Sequence, residues 1–123
     1  MICSKEKLEE LKNKAISQSS DPDDVEIFTI RLSGIESDGD TDFVFRLPSS
    51  DELAFVLDMR EKLSKSGAMM LSETKKFVGG ILLFPDVPKF EKLCKKRPMI
   101  ADTVYAEALK LAQGIESDRA KKL

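Results

Sequence analysis

Any chemistry this chain performs has few residues to draw on. Histidine is absent from all 123 residues. That removes Ser-His-Asp and Cys-His nucleophile systems, His-based metal sites and the side chain most used for proton transfer near neutral pH. Carboxylate, lysine and thiol chemistry remain. Cys3 and Cys94 are far apart and too few for a disulfide framework, so they read as reduced thiols. Lysines near Cys94 would lower a thiol pKa, but its place on an apolar face fits a small core residue. Carboxylate neighbours such as Asp51-Glu52 and Glu9-Glu10 diverge on a helix and make poor acid–base couples.

Three further stretches invite a ligand. "DGDTD" begins like a calcium loop at Asp38, but the sixth and twelfth positions hold Phe43 and Ser49 where Gly and Glu are needed. A hairpin tip around Asp38-Gly39 accounts for it. Gly79-Gly80 belongs to no phosphate-loop pattern. The run Lys89 to Arg97 sets five positive charges against Glu91, with Phe90 spaced to face inward. It reads as a wet helix face favoured by the helix dipole, and not as a nucleic-acid surface. No metal, no cofactor and no catalytic residue is expected, and an enzyme is not.

The elements around these residues come from periodicity. Apolar residues make up 41% and charged residues 34%, with a net charge of −2. These values fit one globular domain that needs no covalent staple. The pI of about 5.3 speaks against generic nucleic-acid binding. No segment reaches the roughly 18 apolar residues of a membrane span, and no signal-like stretch opens the chain, so a cytoplasmic location is expected.

The fold class expected is α+β: an N-terminal helix, an antiparallel β-hairpin, then a bundle of about four helices. Residues 1–24 form a short helix, lightly docked through Leu8, Leu11 and Ala15, and a polar linker. Residues 25–114 form a single α+β domain, and 115–123 a flexible tail. "VEIFTIRL" alternates Val25, Ile27, Thr29 and Arg31 against Phe28, Ile30 and Leu32, and "FVFRL" returns with Phe43 and Phe45 on one face. Ser49-x-x-Glu52 has capping-box spacing, followed by Leu53, Val56, Leu57, Arg60 and Leu63, with Gly67 as the stop. A buried helix is expected over 68–84, with Gly79-Gly80 at a close packing contact and Pro85 ending it. Asp86 caps a short helix with Pro88 in its first turn. Phe84, Phe90 and Leu93 are expected to be buried together against the last helix, which runs from Pro98 to a stop at Gly114.

In their order these features resemble the small tail assembly chaperones of long-tailed phages. The resemblance covers about residues 25–114 and lies in "FVFRLPSSDEL" and "LLFPDVPKFEKLCKKRPMIADTV". It consists of an aromatic strand ending in Arg-x-Pro, a Pro-Asp-x-Pro corner and an Arg-Pro helix start. It implies a non-enzymatic protein that holds the tape-measure protein, helps recruit tail-tube subunits and leaves the finished particle. The acidic N-terminal extension lies outside it. The alternatives are a small acidic secretion-type chaperone and a phage structural connector. The 68–84 segment carries more apolar side chains than one stripe covers, so Met69, Met70, Phe77 and Leu83 are the expected partner-binding residues. Residues 1–46 hold 6 basic and 11 acidic side chains, and 47–123 hold 14 and 11. That bipolar distribution suits head-to-tail self-association.

Overall fold

A computed structural model describes residues 1–36 and 39–123. Asp38 of the expected hairpin signal, and with it the start of "DGDTD", lies outside the described residues. The chain is α+β. Helix α1 (Lys5–Gln18) and a 3-10 turn (Pro22–Asp24) lead into strands β1 (Ile27–Glu36) and β2 (Gly39–Arg46). Helices α2 (Ser50–Lys62) and α3 (Gly67–Ile81), strand β3 (Leu82–Phe84), helices α4 (Val87–Lys96) and α5 (Ile100–Ala112), and strand β4 (Lys121–Lys122) follow. Five α-helices are therefore described, four of them after the hairpin.

The hairpin grows into an antiparallel sheet of four strands in the order β3-β2-β1-β4. Alternation along β1 and β2 divides the apolar residues between two layers. Phe28, Ile30, Phe43 and Phe45 face the helices that follow the hairpin, and Ile27 and Val44 face α1. Both sheet faces are thus covered. Cys3 and Leu11 are buried against Ile27 and Val44, so the N-terminal helix docks more firmly than its thin stripe indicates. Residues before α1 also pair with the sheet. The Asp42 N–H donates to the Met1 carbonyl at 2.9 Å, and the Cys3 N–H donates to the Asp42 carboxylate at 2.9 Å. Arg31 Nε reaches the same carboxylate at 2.6 Å. Burial alone would push the Asp42 pKa up, but these hydrogen bonds outweigh it and hold the acid below its ordinary value.

The main core lies between the sheet and α3, α4 and α5. Phe43, Phe45 and Phe90 are fully buried, and Phe43 meets Phe90 edge to face at 6.4 Å. Asp86 accepts from the Lys89 N–H at 2.9 Å and Pro88 occupies the first turn of α4, as the spacing predicts. Phe90, Leu93 and Cys94 are its buried face, and burial pushes the Cys94 thiol pKa up. Helix α5 ends in a Schellman arrangement at Gly114, whose φ of +78° favours glycine. The N–H groups of Gly114 and Ile115 donate to the carbonyls of Leu111 and Lys110 at 3.1 and 3.0 Å.

Several expectations are corrected. The apolar run expected as helix to residue 84 leaves the helix at Ile81 and pairs with β2 as β3. Phe84 consequently packs in the α1 layer with Leu83, away from Phe90 and Leu93. Gly67 opens α3 and does not end α2, which stops at Lys62. Gly79 and Gly80 are not at a close contact, because a Cβ built on either meets nothing within 4 Å. Residues 115–123, expected as a flexible tail, run back to the sheet. Ser117 donates to the buried Glu107 carboxylate, Leu123 N–H donates to Ile27 O at 2.9 Å, and Lys122 pairs with Glu26 at 2.9 Å. Among the described residues no helix is long and apolar enough to cross a membrane.

Candidate functional site

Helix α2 is fastened at its two ends and nearly bare between them. At its start Ser49 and Glu52 form the capping box that the sequence predicts. Glu52 also accepts twice from Arg46, at 2.7 and 2.8 Å, and Arg46 donates further to the Gly80 carbonyl at 3.1 Å. One guanidinium therefore joins the end of β2, the start of α2 and the end of α3. The Arg46 hydrogen bonds carry the Glu52 pKa down to about 2. At the far end Arg60 lies 4.4 Å over the Tyr105 ring, donates to the Thr74 hydroxyl and meets Asp102 at 3.4 Å. Between these ties, Val56 is the buried residue of α2.

The consequence is a groove of about 490 Å³ between α2 and α3. Phe55, Val56, Met59 and Phe77 line it, Glu52, Glu73 and Lys76 border it, and Gly80 leaves one wall open. Phe77 is held edge to face against Tyr105 at 5.8 Å. Phe55 is 65% exposed beside the groove, so a large aromatic ring stands in water with an apolar hollow next to it. On the other flank of α3, Gly79 opens onto a smaller hollow of about 250 Å³ bordered by Lys75, Val87 and Glu91. A glycine in a helix interior costs roughly 1 kcal/mol against alanine. Neither glycine is explained by packing within the chain, and each borders an open hollow.

The groove offers apolar contact. Of its two acids, Glu52 is already committed to Arg46 and to the capping box, and Glu73 pairs with Lys76 at 3.3 Å. Among the described residues no three metal-ligating side chains gather.

The four residues expected to bind a partner do not form one patch. Phe77 lies in the groove wall. Met69 is 55% exposed and Met70 half-buried, both about two turns nearer the start of α3. Leu83 is on β3 and packs in the α1 layer, on the opposite side of the sheet from the main core. Leu57, expected in the buried stripe of α2, is 47% exposed. Sequence reasoning passed over Phe55 and Met59, and singled out Gly80 as a close packing contact and not as an opening. Their signal was available in part: α2 has apolar residues on more of its circumference than its stripe, as the 68–84 segment does.

Compared with family models, curated proteins and solved structures, the chain matches none.

Proposed function

We propose that this chain is a non-enzymatic binding protein that holds an apolar helical segment of a larger protein, in the manner of a small phage tail assembly chaperone. On that reading the partner is a tape-measure protein, tail-tube subunits are recruited to the complex, and the work is done in the host cytoplasm. The observation that carries the binding role is the apolar α2–α3 groove with Phe55 exposed at its side. A groove between two helices takes the apolar face of a third, with anchors at i and i+3 or i+4. The tail-assembly setting rests on the resemblance of residues 25–114.

Co-expression with a candidate tape-measure protein tests both parts. Wild type should raise the partner's soluble yield and co-purify with it. Gly80→Met, which fills the groove from a helical position open to solvent, should keep the fold and lose the partner. If Met69→Glu loses the partner while Gly80→Met retains it, the binding surface is the start of α3 instead. If wild type does no better than an unrelated acidic protein, the chaperone reading is abandoned.

A further inference from the structure

The last residues of the chain lie in a receptor with the features of a site for an extended segment. Lys121 and Lys122 pair antiparallel with Thr29 and Phe28, and the Leu123 N–H donates to the Ile27 carbonyl at 2.9 Å. Ala120 packs against the main core and Leu123 against the α1 layer, so the segment straddles the edge of the sheet. Lys122 meets Glu26 at 2.9 Å. Ser117 donates to the buried Glu107 carboxylate, and its oxygen accepts from the N–H groups of Arg119 and Ala120 at 3.2 and 3.1 Å. An empty receptor would deprive a buried acid of that donor and leave the β1 edge unpaired, and both are unfavourable. The link to this segment is thin by comparison. Residues 113–116 are all exposed. Gly114, at φ +78°, turns the chain back at the end of α5. A terminal segment with a complete receptor, joined through an exposed hinge, can fill the same receptor on a neighbouring copy with every contact preserved.

We propose that the C-terminal segments of two copies change places, each lying along the other's β1, and that Gly114 sets the balance between the closed monomer and the exchanged dimer. The occupant is named by the segment seen in the receptor: a small apolar residue at Ala120, a lysine opposite Glu26 and a large apolar residue at Leu123. These contacts are the same in both forms and cancel. The difference lies in the hinge and in the cost of bringing two chains together. A short tether gives the chain's own segment an effective concentration in roughly the millimolar range, so the closed form prevails when the protein is dilute. Glycine holds the closed hinge without strain, because φ +78° is open to it and unfavourable to residues with a Cβ. Exchange requires release of the segment and not unfolding of the core. The inference does not rest on the α2–α3 groove or on the tail-assembly reading, and it leaves that groove free.

Sedimentation equilibrium of the full chain, up to roughly millimolar protein, is the first test. Wild type should be monomeric when dilute and dimeric toward the top of the series. Gly114→Ala should tighten the dimer by roughly tenfold or more, since its Cβ strains the closed hinge and is relieved in the open one. Gly114→Asn, whose side chain tolerates that backbone, should shift it less. Leu123→Asp should dissolve the dimer. A second test mixes two variants. Glu26→Lys and Lys122→Glu each set like charges together within one chain, but exchange between them sets opposite charges together in both receptors. Native mass spectrometry of the mixture should show heterodimers above the half expected of random pairing. Circular dichroism melts check that each variant is folded, and should Leu123→Asp not fold, the mixture decides. A Gly114→Ala chain that is monomeric at every concentration, a dimer that survives Leu123→Asp, or heterodimers at the random proportion would overturn the proposal.

Discussion

Helices α2 and α5 are each 13 residues long, and they are held in opposite ways. Helix α5 buries Ile100, Ala101, Val104, Tyr105, Glu107 and Ala108, whereas α2 buries Val56. Helix α5 is fixed along its length by packing. Helix α2 is fixed at its ends by Arg46–Glu52, the capping box and Arg60, with little holding its middle. A helix tied in this manner keeps its position while leaving its side wall unfilled. The polar ties are what allow an apolar surface to persist beside a packed core.

The sharpest way to break this comparison is truncation on each helix. Ile100→Ala in α5 should cost about 2–5 kcal/mol in urea unfolding, since Ile100 is 3% exposed. Leu57→Ala in α2 should cost less than about 0.5 kcal/mol, since Leu57 is 47% exposed. Equal losses at the two sites would remove the distinction between the helices.

The end-ties should reveal themselves through pH. The Glu52 pKa falls from an ordinary value near 4.5 to about 2 in the folded chain. A depressed acid contributes stability that is complete above its unfolded pKa and disappears as pH falls through its folded pKa. Wild-type stability should therefore decline from about pH 4.5 down toward about pH 2. Asp42 is also held below its ordinary value and contributes in the same sense. Glu52→Gln keeps a capping-box residue but loses the ion pair with Arg46, so urea midpoints across this range should fall less steeply than in wild type. An unchanged slope would mean that Arg46–Glu52 does not secure α2.

A smaller effect should have the opposite sign. Gly80→Ala adds a Cβ that meets nothing within 4 Å, so it should stabilise the chain by about 1 kcal/mol. The same methyl narrows the groove, so partner capture should weaken while the urea midpoint rises. A variant that gains stability without losing capture would show that the glycine does not serve the groove. Smallest of all, Lys92→Ala on the exposed side of α4 should change stability by less than about 0.5 kcal/mol.

Local signals in the sequence located most elements. Ser49 with Glu52, Asp86 with Pro88, and Gly114 each act within a few residues, and each stands where its spacing places it. Alternation sorted Ile27 from Phe28 and Ile30 correctly between the two sheet faces. The misreadings depend on distant partners. Leu82, Leu83 and Phe84 extend an apolar run that periodicity cannot divide into helix and strand, and β2 decides the matter by pairing with them. Lys121 and Lys122 have no apolar alternation at all. They become a strand because β1 offers backbone partners and Glu107 anchors Ser117. Of the groove's lining, Phe77 alone was read as partner-binding, while Val56 was placed in the α2 stripe and Gly80 at a packing contact. Whether Phe55 and Met59 lie inward or outward depends on where α2 sits against α3, and spacing along α2 does not carry that information.

The strand order β3-β2-β1-β4 has a consequence for how the chain is made. The hairpin joins neighbours in sequence and can close as soon as residues 27–46 have emerged from the ribosome. The β2 edge beside Val44 and Phe45 then waits for residues 82–84, and the β1 edge beside Phe28 and Thr29 waits for residues 121–122. At about 5–20 residues per second, the second wait lasts several seconds. Throughout that interval at least one edge of an aromatic hairpin stays unpaired while nascent chains are crowded together on one message. Strand β4 is only two residues long, but its arrival ends this exposure, so deleting residues 121–123 should lower soluble yield in the cell more than it lowers the stability of purified protein.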